Sequence, residues 1–248
     1  MGREPNIVEQ AGRNILLIPR SGWLLALNAC GVLAVFQVLQ WAFRGKLVLY
    51  SPADGKFSEW FVPVMMVALA IGFLWAAAVY VCATGVAGKP ATKLGYLRFA
   101  VTSAAIFLPP QLTLLFGAAS DTSLSEGGRL GLIACIVFEY ALRALLVAWP
   151  MAQSLSGRFV SPLRILAATR GHRWGLIFAA LFSMGIEHAD IVPDIATANT
   201  VGQALIIAVE NTLVEMAVIG VTAAIAVAAW DFAARADRAL NPQPISQS

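Results

Sequence analysis

The 248 residues are 59% hydrophobic and only 12% charged, with a formal net charge of +3 and a mean hydropathy of +0.75. Soluble domains carry about 25% charged residues, so this composition excludes an ordinary soluble protein and indicates lipid as the main solvent. No basic stripe on a soluble surface is present to bind nucleic acid. The length suits one integral membrane domain over residues 1–248.

Six apolar stretches follow one another along the chain and predict an all-α, polytopic transmembrane helix bundle. A helix needs about 20 apolar residues to cross the hydrocarbon core. The fifth stretch has only 16 residues, so the sequence leaves open whether it crosses fully or re-enters on one side. The predicted spans are about 23–43, 60–84, 99–118, 130–152, 174–189 and 204–232.

Positive charge is concentrated on one side of the predicted membrane. The N-terminal segment, the second loop, the fourth loop and the tail hold 12 of the 17 Lys and Arg residues, and the opposite side holds 4. Because cytoplasmic loops collect Lys and Arg, we expect both termini to be cytoplasmic, in a bacterial cytoplasmic (inner) membrane. This arrangement requires the fifth stretch to cross completely.

Pro109-Pro110 falls in the middle of the third predicted span. Proline removes a backbone hydrogen bond and clashes with the preceding turn, so we expect a kink or local unwinding there. Broken helices sometimes line transport sites. Membrane helices also tolerate proline for purely structural reasons when neighbours satisfy the freed carbonyls.

The fourth loop predicts a short cytoplasmic surface helix. Ser161-Pro162 supplies an N-cap followed by proline at the first helical position, and Gly171 supplies a stop after Arg170. The intervening segment 163–169 has an apolar and a cationic face, so we expect its apolar side to lie on the membrane. It serves either as a lipid-anchored connector or as a docking surface for anionic lipid headgroups or a partner.

A block of about 30 residues around this loop has a recognisable pattern. It contains Arg143, Trp149-Pro150, Gly157-Arg158, Ser161-Pro162 and the run Thr169-Arg170-Gly171-His172-Arg173-Trp174. This block resembles the membrane domain attached to some bacterial glycerophosphoryl diester phosphodiesterases, and related stand-alone six-helix proteins of unassigned function. It contains none of the soluble phosphodiesterase domain, so the resemblance implies the six-helix fold without that activity.

Charged and polar residues inside the spans form the candidate functional cluster. Glu139 and Arg143 lie four residues apart on the fourth span, and Asn211 and Glu215 lie four apart on the sixth. A charge at the bilayer centre costs about 2.5–3.5 kcal/mol, so we expect these side chains to face the protein interior. At 1.5 Å per residue, Arg143 and Glu215 reach similar depths and could pair. The cluster is either a structural clamp between helices or a proton- or substrate-coupling site.

A second group of ionisable residues lies at the outer end of the fifth span. His and carboxylate side chains can bind divalent metal, but one His among acids at this spacing fits no specific site. We therefore interpret the group as a solvated acidic loop and predict no metal site. Its members are Glu187, His188, Asp190 and Asp194.

No signature of a hydrolase, metalloprotease or nucleotide-binding enzyme is present, so we predict no catalytic or cofactor-binding residue. The favoured function is a non-catalytic scaffold, assembly or membrane-organising protein, and the alternative is a small transporter or channel using the Glu/Arg cluster. Besides the lipid bilayer, the expected partners are other membrane proteins that bind through small-residue helix faces. The two faces are Ala68, Gly72 and Ala76 on the second span, and Gly220, Ala224 and Ala228 on the sixth.

Overall fold

The regular structure in the described part of the computed structural model is helical, apart from one small antiparallel ladder. In this ladder β1 (Tyr50–Ser51) pairs with β2 (Lys56–Phe57), with Tyr50 opposite Phe57. The structure describes residues 6–43, 50–51, 56–57, 59–119, 137, 141–156, 159–188 and 193–237.

Eight helices with complete bounds are described. Two short 3₁₀ turns, Arg170–His172 and Ile195–Thr197, precede the last two of them. The helices are α1 (Ile7–Ile15), α2 (Arg20–Ala42), α3 (Phe61–Val86), α4 (Lys93–Ala119), α5 (Trp149–Leu155), α6 (Pro162–Ala168), α7 (Arg173–His188) and α8 (Val201–Ala236).

Three of these helices, α2, α3 and α8, are long and apolar enough to cross a membrane. They coincide with the first, second and sixth predicted spans. Their outward faces carry large apolar side chains exposed over much of their length, including Val35, Met66 and Leu213. Extensive apolar exposure is unfavourable in water and is expected where lipid covers the protein surface.

The described core is concentrated where the first half of α2, the last part of α3 and the second half of α8 meet. Buried residues cluster at 22–30, 76–84 and 218–234 in these helices. Small side chains and glycines permit the close packing there. Gly22 lies against Cys82, and Gly220 lies against the Trp23 ring. The helices are therefore packed together at one end, and large apolar side chains are exposed towards the other.

Helix α1 is a short element that the sequence analysis did not predict. The Asn6 side chain caps it by accepting a 2.8 Å hydrogen bond from the Glu9 backbone N–H, and Glu9 forms an ion pair with Arg13 one turn later. Its inward face buries Ile7 and Asn14. Because this face packs on α8 and α7, the N-terminal segment is an integral part of the core.

The fourth predicted span is interrupted within its described part, contrary to the expectation of one continuous helix. Residues 141–145 are helical, 146–148 form a turn, and α5 then begins at Trp149. Pro150 explains the break, because it lacks an N–H and its ring crowds the carbonyl four residues earlier. The backbone N–H of Trp149 instead donates a 2.8 Å hydrogen bond to the Leu146 carbonyl. This bond spans three residues, as in a 3₁₀ turn.

The backbone of α4 is helical from Lys93 to Ala119 and includes Pro109-Pro110. The predicted local unwinding is therefore absent from the described α4 backbone, and the kink stays a prediction. Helix α7 covers nearly all of the fifth predicted span and has 16 residues. Its helical character agrees with the prediction.

Candidate functional site

The predicted intramembrane cluster is described at three of its four positions. Arg143 belongs to the helical segment 141–145, and Asn211 and Glu215 lie on α8; all three side chains are half-buried. Arg143 and Glu215 each make at least one hydrogen bond, ion pair, ring contact or electrostatic interaction. The pairing of Arg143 with Glu215 stays a prediction, and Glu139 lies outside the described residues.

Helix α2 makes two contacts with the α8 region, one before Glu215 in the chain and one after it. At one end the Trp41 indole N–H donates a 2.9 Å hydrogen bond to the Ala198 carbonyl just before α8, and at the other end Trp23 contacts Gly220. Between them, the Glu215 carboxylate lies within electrostatic range of Cys30 on α2. Glu215 therefore lies near α2, within a pair of helices that are apolar enough to span a membrane.

Gln37 is a polar residue on α2 that the sequence analysis did not single out. Its Oε1 atom is buried and accepts no hydrogen bond within the part of the chain that the structure describes. A buried amide oxygen without a donor costs free energy, about 1–3 kcal/mol. Its position, four residues before Trp41 on the helix that faces α8, makes it a further polar candidate beside Asn211 and Glu215.

In the second predicted group, the side chain is described only at Asp194. Its side chain accepts a 2.9 Å hydrogen bond from the Ala196 backbone N–H and caps the 3₁₀ turn before α8. Glu187 and His188 occupy the last turn of α7, and Asp190 lies outside the described residues. Within the described ranges, no group of three or more His, Cys, Asp or Glu side chains forms a metal site. Asp194 thus has a local structural role.

The surface helix α6 begins as predicted, with Ser161 at the N-cap and Pro162 at the first helical position. Its predicted orientation needs correction. Ile165 is 0% exposed within the core, whereas Leu163 is 74% exposed. Because α6 packs against α8, its main apolar contact is with the protein. Ile165 points into this contact, whereas Leu163 points outward.

A bidentate ion pair fixes α6 to the end of α8. Arg164 Nε and Nη2 donate to the two carboxylate oxygens of Asp237 at 2.5 and 3.0 Å. These hydrogen bonds to the Asp237 carboxylate raise the pKa of the Arg164 guanidinium above its ordinary value. The two residues are 73 positions apart. No local pattern in the sequence signals this contact.

The loop between α5 and α6 is held by three polar contacts with its own neighbourhood. The Trp149 indole donates to the Val160 carbonyl at 2.7 Å, and the Gln153 Oε1 accepts from the Val160 N–H at 2.8 Å. Arg98 on α4 donates to the Ser156 carbonyl at 2.5 Å. These side chains satisfy loop backbone groups that would otherwise lack partners near the membrane. They fix the loop from which α6 emerges.

No protein-family model, curated protein or solved structure matches this chain. The resemblance around residues 143–174 therefore stays a prediction. The structure gives a physical role to several of the residues that carry it, Trp149 and Pro150 among them. Trp149 holds the loop backbone, and Pro150 ends the preceding helix.

Proposed function

We propose that this chain is a non-catalytic integral membrane protein that scaffolds or assembles a membrane complex or organises the surrounding lipid. The observation that carries the proposal is the use of buried and half-buried polar side chains as contacts between elements. The side-chain amide of Asn14 on α1 donates a 3.1 Å hydrogen bond to the Ala224 carbonyl of α8. The side chains of Trp149, Gln153 and Arg98 form hydrogen bonds with backbone groups of the loop between α5 and α6. Each of these contacts stabilises one arrangement of the helices, as a scaffold requires.

We further propose six spans, with both termini on the cytoplasmic side of a bacterial inner membrane. Support comes from the three apolar helices, from the helical character of α4 and α7, and from the distribution of Lys and Arg. In this arrangement the packed end of the molecule, with α1 and α6, lies at the cytoplasmic side. The more exposed ends of α2 and α3 lie towards the outer side.

Reporter tags test this topology. Tags at both termini and in the 153–173 loop should score cytoplasmic, and a tag near Asp194 should score external. A C-terminal tag that scored external would mean that α7 does not cross, and the six-span arrangement would be wrong.

The proposed partner surface is the small-residue face of α3. On α8 the corresponding face is used within the chain, since Ala224 and Ala228 are fully buried and Gly220 contacts Trp23. On α3, Ala76 is buried within the chain as well, but Ala68 is exposed and a Cβ added at Gly72 would meet no described atom within 4 Å. A partner helix could therefore approach closely at Gly72.

Chemical cross-linking in native membranes tests this surface. Gly72→Leu should reduce the yield of cross-linked partner, because the larger side chain holds the partner helix away. Gly31→Leu on α2 is the matched control, since Gly31 also has open space around its Cβ position. An equal loss in both variants, or no loss in either, would count against the α3 surface.

The alternative function is a small transporter or channel. It is favoured by the half-buried Arg143, Asn211 and Glu215 and by the Gln37 side-chain oxygen on α2, which accepts no hydrogen bond from any described residue. Proton flux into proteoliposomes, followed with a pH-sensitive dye, separates the two functions. The scaffold proposal expects flux equal to that of empty liposomes. Flux that is lost in Glu215→Gln but retained in Glu210→Gln, a change on the exposed face of the same helix, would support the transporter instead.

Replacing Glu139, Arg143 and Glu215 together by apolar residues gives a second discrimination. If the cluster is a clamp, the triple variant should recover much of the folded yield that Arg143→Leu loses, because no uncompensated charge remains in the bilayer. If the cluster serves transport, the triple variant folds and flux is abolished.

A further inference from the structure

One face of α7 carries a row of exposed aromatic and aliphatic side chains that we call the α7 stripe: Trp174, Phe178, Leu181 and Phe182. Their exposed fractions are 84%, 63%, 55% and 60%. Spacings of three and four residues place them on one side of a helix. The opposite side packs on α8 through the buried Leu176 and Ala179. With α7 in the membrane, the α7 stripe faces lipid acyl chains, and Trp174 lies where indole rings favour the interface.

Two arginines lie immediately before this stripe. Arg170 and Arg173 are exposed, and the Arg173 guanidinium donates to the Leu166 carbonyl at 3.3 Å, which orients it beside the end of α6. Leu163 and Ala167 lie four residues apart on α6 and are exposed, and Arg170 in the following 3₁₀ turn is exposed as well. The arginines therefore lie between an outward face of α6 and the first turn of the α7 stripe.

The charge of these two arginines is not balanced locally. From Gly157 to Ile186 the sequence contains no Asp or Glu. Arg164 in this segment is already paired with Asp237. Among the residues that the structure describes, neither Arg170 nor Arg173 forms an ion pair. An anion from outside the described chain would complement them.

We propose that the α6–α7 junction binds the headgroup of an anionic phospholipid. Arg170 and Arg173 contact the phosphate, and the acyl chains lie along the α7 stripe. Guanidinium groups form paired hydrogen bonds with phosphate oxygens. A phosphatidylglycerol-type lipid is favoured over phosphatidylcholine, because its headgroup carries net negative charge and no ammonium group to repel the arginines. The inference rests on the proposed crossing of α7 and adds a lipid specificity to it.

Spin-labelled lipids test the site on the full-length protein in nanodiscs of equal parts phosphatidylcholine and phosphatidylglycerol. The wild type should bind labelled phosphatidylglycerol in preference to labelled phosphatidylcholine. The double change Arg170→Gln and Arg173→Gln should lower this preference by roughly 5-fold for each arginine, since basic residues near a bilayer attract anionic lipid individually. The double change Arg170→Lys and Arg173→Lys should retain most of the preference.

The matched control removes two positive charges elsewhere on the proposed cytoplasmic side, through Arg13→Gln and Lys89→Gln. It should lower the preference much less than the Arg170/Arg173 Gln variant does, because these two charges lie outside the α6–α7 junction. An unaltered preference in the Arg170/Arg173 Gln variant, an equal decrease in the control, or a wild type without preference would each overturn the lipid site. If the reporter tags agree with six spans while one of these results is obtained, only the lipid site fails. A cytoplasmic tag near Asp194 would instead remove the basis for both.

Discussion

Gly220 brings the backbone of α8 into contact with the Trp23 ring of α2. A Cβ added there would lie 2.5 Å from Cη2 of Trp23, so Gly220→Ala must displace the indole or separate the helices. We expect a loss of about 1–3 kcal/mol in the free energy of unfolding, typical of overpacking. Gly72→Ala is the control, because its added methyl meets no atom within 4 Å and alanine favours helix. Thermal unfolding in one detergent compares the two, and equal midpoints would contradict the contact.

Residue-scale prediction from the sequence succeeded where one helix supplies the whole pattern. The small residues Gly220, Ala224 and Ala228 repeat every four positions and are buried together, so the closely packed face of α8 was visible in the sequence, whereas its use within the chain was not. The partner Trp23 was not predictable as a contact, because it is nearly two hundred positions away and looks like an ordinary interfacial tryptophan. Periodicity identifies a face of a helix, but not the residue that covers it.

Helix α6 offers a comparison between two apolar residues on one short element. Ile165 is enclosed by the core, so Ile165→Ala should lower the free energy of unfolding by about 2–5 kcal/mol. Leu163→Ala, two positions earlier, removes an exposed side chain and should change it by less than about 0.5 kcal/mol. Denaturant unfolding of both variants checks the orientation of α6. A larger effect at Leu163 than at Ile165 would instead support the arrangement predicted from the sequence, in which the apolar side of α6 lies on lipid.

At the scale of elements, helix α1 shows that a hydropathy search can miss a short amphipathic helix. A window of about 20 residues detects spans but averages out a nine-residue amphipathic helix. The signals were local: Asn6 with Glu9 three residues later is a capping pattern, and Ile7 and Ala11 are four apart. The buried Asn14 continues that face with a polar side chain, which hides the periodicity. The break before α5, by contrast, follows from the missing N–H and the bulky ring of Pro150. An interruption of the helix near this residue was therefore predictable from the sequence.

At the scale of the whole molecule, the Asn14–Ala224 hydrogen bond joins segments 210 positions apart. Asn14→Ala should loosen α1 and cost about 1–2 kcal/mol, because a buried contact between helices is removed. Asn28→Ala is the control, since the exposed Asn28 amide only donates within α2 to the Leu24 carbonyl. Hydrogen exchange at residues 7–15 should accelerate in Asn14→Ala and stay unchanged in Asn28→Ala. Equal protection in both variants would argue against α1 as part of the core.

The 36 residues of α8 extend about 54 Å, well beyond the roughly 30 Å of a hydrocarbon core. Its enclosed second half forms the surface on which α1 docks, yet α1 is translated first. At about 5–20 residues per second, their separation of 210 positions corresponds to roughly 10–40 s of synthesis. Until α7 and α8 are synthesised, α1 lacks the protein surfaces on which its inward face packs, and the membrane interface is the available site for that apolar face. Docking of α1 therefore reports that translation has passed α8, and a ribosome that stops earlier leaves this helix accessible to proteases.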